Sequence, residues 1–112
     1  MSLHAAEVSH IMVVATECEP GHEAEFHEWY EQVHIPDLLA IPGIRSAQRY
    51  RSTRDDGSHR WLAIYELVDD PDEVNRRIAE KPMFRSPYYL RERTVNTIYA
   101  VLPPVGSESS AP

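Results

Sequence analysis

The segment Arg60–Val68 (RWLAIYELV) carries apolar side chains at both alternating positions. Trp61, Ala63, Tyr65 and Leu67 form one set; Leu62, Ile64, Glu66 and Val68 form the other. Successive side chains of a strand point to opposite faces, so this segment belongs in a sheet that is covered on both sides. Val8–Cys18 (VSHIMVVATEC) has the same β-branched, apolar character and reads as a second strand, with Met12/Val14 and Val13/Ala15 equally apolar choices for its inward face. Neither segment can span a membrane, because the longest apolar run, Ile11–Ala15, falls far short of the ~20 residues required. The whole chain has 112 residues, the size of one domain with a modest core and no room for a separate cofactor domain.

The other elements follow from periodicity and breakers. Phe26, Trp29, Tyr30 and Val33 recur three or four apart within His22–Val33, the spacing of one helical face. Pro36 predicts a helix stop at His34 or Ile35, since it lacks a backbone N–H and disfavours α geometry in the preceding residue. Asp37–Ile41 reads as one further turn, and Pro42-Gly43 as a tight reversal. Ile44–Ser52 is a polar-alternating strand, and Asp56-Gly57 suits the hairpin loop before Arg60–Val68. Asp70-Pro71-Asp72-Glu73 starts a second helix, with Asp70 as cap, Pro71 at the first position, and Val74 and Ile78 facing inward. Lys81–Leu90 is irregular around Pro82 and Pro87, and Arg93–Leu102 is the last strand. Residues 8–103 are expected to form one domain, with flexible termini at 1–7 and 104–112.

The order β-α-β-β-α-β suits an α+β, ferredoxin-like arrangement: a four-stranded antiparallel sheet with two helices on one face. The other face is then left bare and apolar. Such a face marks an interface or ligand site, so a homodimer is expected, with a cavity inside or beside the joined sheets.

Eighteen Asp and Glu against eleven Lys and Arg give a net charge of −7. An acidic chain without a basic run is a poor match for a phosphate backbone, so no nucleic-acid partner is expected. The single cysteine, Cys18, excludes an internal disulfide. No basic-then-apolar leader is visible and no membrane partner is expected, which makes the cytoplasm the expected location.

Candidate chemistry centres on His34. At 100° per residue it lies at the edge of the apolar stripe beside Tyr30, where one ring nitrogen can be held while the other faces a cavity, as a general acid or base requires. The alternative is a histidine that only fixes the helix end. His27, Glu31 and His34 share a flank, yet ligands on one straight helix would be spread over about 10 Å, so no metal site is expected. Trp61 and Tyr65 share a strand parity and are assigned to the bare face, as pocket lining or interface, with Leu62 and Ile64 packing on the helices. Arg49 and Arg51 either hold an anionic substrate or sit in rim ion pairs, and Glu66 is a partner for one of the arginines. Cys18 is taken as structural. No phosphate-binding glycine loop, serine elbow or dinucleotide fingerprint is present, and no cofactor is expected.

Pro20-Gly21, Glu25-Phe26, Trp29-Tyr30, His34-x-Pro36 and Pro42-Gly43, followed by Ala63-Ile64-Tyr65-Glu66-Leu67 and Asp70-Pro71, together resemble EthD-like proteins of the dimeric α+β barrel superfamily. The resemblance covers roughly residues 8–103. It implies a ferredoxin-like protomer that dimerises sheet to sheet, in a superfamily that includes cofactor-free monooxygenases, cyclases, isomerases, dehydratases and haem-degrading enzymes. His34 matches the helix-end histidine of the family, and Trp29 its helix aromatic, a packing residue. The expected activity is cofactor-independent proton transfer on a small hydrophobic or aromatic substrate. His34 would move the proton, and Tyr65 or Tyr50 would bond the developing oxyanion. Met12, Trp61, Tyr99 and Arg49 would shape the pocket. The alternatives are a cofactor-free monooxygenase and a non-catalytic small-ligand binder.

Overall fold

A computed structural model describes residues 7–54 and 59–105. Four strands, β1 (His10–Thr16), β2 (Ile44–Arg51), β3 (Trp61–Leu67) and β4 (Val95–Ala100), form one antiparallel sheet in the order β2-β3-β1-β4. The central strand β1 aligns Met12 with Tyr65 on β3 and with Ile98 on β4. Across the β2–β3 ladder Tyr65 faces Ala47 and Ala63 faces Arg49. The helices α1 (Glu23–Trp29), α2 (Ile35–Leu39) and α3 (Pro71–Glu80) complete the ferredoxin-like α+β fold. Asp56-Gly57, assigned to the hairpin loop, lies outside the described residues, as do most of the expected flexible termini.

The first helix does not stop before Pro36. Tyr30–His34 forms a π turn in which the Ile35 N–H bonds the Tyr30 carbonyl, and α2 continues directly through Pro36 to Leu39. Five residues in place of four occupy that turn, which places the proline near the start of a new α segment, where its missing N–H is tolerated. The same insertion rotates everything after it relative to α1. Leu38 and Ile41 thereby join Phe26, Trp29 and Tyr30 in the core.

Packing settles which strand face is inward. Met12, Val14, Ala63, Tyr65 and Leu67 are buried with the helix residues, while Leu62 and Ile64 are only partly covered. The expected parity of β3 is therefore reversed: Tyr65 faces the helices, and Leu62, Ile64 and Glu66 look out from the bare face. A buried phenol needs a partner. Tyr30, on the helical side, supplies one, with its Oη 3.2 Å from that of Tyr65.

The α2–β2 reversal is held closely. Gly43 has φ +100°, and a Cβ there would stand 2.9 Å from Val74 Cγ2 on α3. Arg77 of α3 donates to the Pro42 carbonyl at 2.7 Å and to Asp69 at 3.0 Å. Val74 is buried and Ile78 packs on the core, as expected. Asp70 occupies the cap position of α3 but makes no side-chain capping bond. Its own N–H is instead taken by the Asp69 carboxylate at 2.8 Å.

Candidate functional site

A cleft of about 410 Å³ opens between the sheet and the helices. Met12 and Val14 of β1 and Tyr65 of β3 form its floor, and Leu38 of α2 and Ile78 of α3 form its apolar sides. Met83, Tyr89 and Thr94, from the irregular segment after α3 and its continuation to β4, line the outer wall. The cavity thus lies within one chain, on the helical side of its sheet.

His34 enters this cleft from the end of the π turn. Trp29 stacks against its ring at 4.7 Å between centroids, and Tyr30 meets it edge-on at 4.9 Å. Trp29 is itself fixed, its indole N–H donating to the Phe84 carbonyl at 3.0 Å. Burial lowers the His34 pKa to about 4, against the pull of nearby Asp37 and with help from the positive charge of Arg85. The ring is neutral at physiological pH.

The phenols nearby are also neutral. Burial raises Tyr30 to about 12, and burial together with Tyr30 raises Tyr65 further. Tyr89 stands apart from that pair. Thr94 Oγ1 donates to Tyr89 Oη at 3.0 Å, which leaves the Tyr89 hydroxyl proton available to a ligand. Tyr89 was missed from sequence because Lys81–Leu90 has no period to read. A different signal was there: Lys81, Arg85, Arg91 and Arg93 stand against Glu92 alone over residues 81–93, a local charge reversal in an acidic chain.

The structure brings together His34, Tyr65 and Met12 and places the other expected residues elsewhere. Trp61, Tyr50 and Arg49 belong to a shallower hollow of about 280 Å³ on the β2 side of α1, with His27, Glu31 and Arg51. Arg49 donates to His27 Nδ1 at 3.0 Å and to Glu31 at 3.1 Å, and its guanidinium lies 4.4 Å from the centre of the Tyr30 ring. It is a structural clamp between strand and helix. Trp61 meets His27 edge-on at 4.3 Å. Tyr99 pairs opposite Ile11 on the bare face and is half exposed. Tyr50, expected to bond an oxyanion, and Tyr99, expected to shape the pocket, do not line this cleft: both alternate away from it with the strand period.

His27 and Glu31 are held together by Arg49 while His34 turns into the other cavity, so the three do not converge. Among the described residues no group of His, Cys, Asp and Glu side chains is arranged to hold a metal ion. Cys18 sits at the end of β1, bridged to Tyr89, with its thiol pKa raised by burial. Glu66 accepts from Ser46 at 2.7 Å and lies 3.9 Å from Arg45.

A four-stranded antiparallel sheet, helices on one face and a cleft between the layers define a ferredoxin-like α+β fold. Residues 9–81 match the profile of DUF4286, a domain of unknown function, and the chain belongs to that family. No curated protein matches the sequence significantly. Among solved structures, the haem-degrader MhuD of Mycobacterium tuberculosis is similar at 17% identity, with a TM-score of 0.62 over 87% of this chain and 99% of that one. A Shewanella loihica protein provisionally assigned as a monooxygenase has 14% identity and a TM-score of 0.57, over 87% and 97%. An EthD family protein of Bacillus halodurans has 13% identity and a TM-score of 0.53, over 83% and 99%. These identities establish likeness of fold, in line with the EthD-like resemblance of the sequence.

Proposed function

We propose that the cleft binds a small, largely hydrophobic or aromatic molecule and that His34 moves a proton to or from it. The outcome would be cyclisation, isomerisation, dehydration or lyase-type cleavage without a cofactor. The observation that carries this reading is a neutral imidazole entering an apolar cleft beside a phenol with a proton to give. In the mechanism, a bound carbon or oxygen acid places its proton at the open ring nitrogen of His34. The ring is unprotonated at neutral pH and needs no prior deprotonation. Its low pKa makes it a weak base in the empty cleft, so transfer depends on forming an ion pair: imidazolium and substrate anion attract strongly in a dry site. Tyr89 donates to the developing oxyanion, replacing Tyr50 in that role, and a donor of this kind contributes about 2.7–4 kcal/mol. Tyr65 supports the floor through its bond to Tyr30.

Residues 8–103 would act as one unit in a cytoplasmic homodimer joined through the bare sheet face. The apolar character of Ile11, Val13, Leu62 and Ile64 on that face supports this assembly.

The test is hydrogen–deuterium exchange, followed by NMR, on a panel of enolisable aryl ketones and phenols in D₂O. The protein is expected to accelerate exchange at the acidic position of at least one compound, and His34→Ala to reduce that rate by about 10²–10⁴. Equal rates for the two proteins would remove His34 from the chemistry. Oxygen uptake with quinol substrates in the absence of exchange would favour the monooxygenase alternative, and saturable binding with neither would favour the non-catalytic binder.

A further inference from the structure

The charge on the cleft lining runs against the charge of the chain. Lys81, Arg85 and Arg91 all line the cleft, and no Asp or Glu does so. The protein as a whole carries seven more acids than Lys and Arg. None of the three makes an ion pair with a carboxylate of the described residues. Other arginines behave differently: Arg76 pairs with Glu73 and Glu80, Arg77 with Asp69, Arg93 with Glu17, and Arg49 with Glu31. The cleft is also graded in depth. Met12 and Tyr65 at its floor are buried, Lys81 is half-buried, and Arg85 and Arg91 are exposed at its mouth.

Resting on the reading of this cleft as a ligand site, we propose that its ligand is an aromatic or aliphatic carboxylate. The anionic end sits among Lys81, Arg85 and Arg91 at the mouth, and the apolar body runs inward over Met12 and Leu38 to His34. Guanidinium groups match a carboxylate with paired N–H donors and, being more weakly hydrated than an ammonium, lose less on desolvation when an anion arrives with its own apolar body. A neutral ligand would leave three cations crowded around it without an opposite charge. A cationic one would be repelled.

The arrangement also couples binding to His34. Arg85 disfavours the protonated ring in the empty cleft. A carboxylate at Arg85 offsets that charge, so binding moves His34 toward a stronger base. The other groups facing the ring are Asp37 and the phenols of Tyr30 and Tyr89.

Binding is measured with 2-naphthoate, 2-naphthylmethanol and 2-naphthylmethylammonium by calorimetry, on the full chain. The acid is expected to bind at least about tenfold more tightly than the alcohol at low salt, with the difference shrinking as salt rises. The double variant Arg85→Gln/Arg91→Gln should lose that preference while binding the alcohol as before. Arg76→Gln, remote from the cleft, should keep the preference. NMR of the His34 ring should show its pKa rising when naphthoate binds. Equal affinity for acid and alcohol, an unaltered preference in the double variant, or no binding of any of the three compounds overturns the proposal. A preference that survives in His34→Ala, with no exchange activity in the parent, would leave the carboxylate site standing and remove only the catalytic role.

Discussion

His34 is held by rings. Trp29 covers one face of the imidazole and Tyr30 meets its edge, and the burial they help to impose disfavours the charged ring. The folded pKa of about 4 lies below the ordinary value of 6.5. The unfolded chain therefore binds the proton more readily, and the contribution of this group to stability is complete above about pH 6.5. It is lost as the pH falls toward 4, with a magnitude on the order of 2–3 kcal/mol. Urea midpoints of the parent and His34→Gln, measured from pH 7 to pH 4, are expected to converge or cross as the parent loses this term. A constant gap across that range would show that burial does not depress this histidine. The position of His34 was legible in the sequence because helical spacing places it at the edge of the apolar stripe beside Tyr30, although the helix end expected from Pro36 is absent. Tyr50 and Tyr99 lie outside the cleft, which the sequence does not reveal because a strand's period of two separates faces without saying which one is inward. Tyr89 was invisible to periodicity altogether.

Among the elements, the order and nature of strands and helices were readable from β-branched runs, helical stripes and breakers, and the third strand appears within a residue or so of its expected limits. The π turn was not. It leaves no pattern of its own: an extra residue in one turn is recognisable only once the residues on both sides are seen packing on the same core. The parity of β3 was hidden for a related reason: both of its side-chain sets are apolar, and which one is inward depends on the helices and β1 that pack on Ala63, Tyr65 and Leu67, with Tyr30 as the partner of the buried Tyr65 hydroxyl. The Pro42-Gly43 reversal, by contrast, was plain in the sequence, and its structural cost can be measured. Gly43→Ala would force a left-handed φ on an L side chain and drive its Cβ against Val74, Asp69 and Arg77. It is expected to destabilise the fold by about 1–3 kcal/mol, read as a lower urea midpoint with unchanged slope. No loss of stability would mean that the turn relaxes without disturbing α3.

At the level of the molecule, the sheet is closed on the helical side and bare on the other. Leu62, Ile64, Ile11 and Val13 occupy the middle of that bare face, and the half-exposed Tyr50, Val95 and Tyr99 lie toward its edges. The homodimer proposed on this face predicts that the parent sediments as a dimer at micromolar concentration. Ile64→Glu should sediment as a folded monomer, because a lone carboxylate in the centre of an apolar interface carries a large desolvation penalty. A dimer that persists in this variant would place the interface elsewhere. The bare face could be expected from sequence, since neither parity of β3 suits water; its separation from the cleft could not, because that depends on which parity the helices cover.

The π turn has one more consequence. Removing a single residue from Tyr30–His34 would restore regular α winding and swing the imidazole about 100° around the rod, away from the cleft. A one-codon deletion would also turn Leu38 and Ile41 away from the core they help to close. The length of that one turn therefore sets both which ring enters the cleft and which aliphatic side chains seal the layer beneath it.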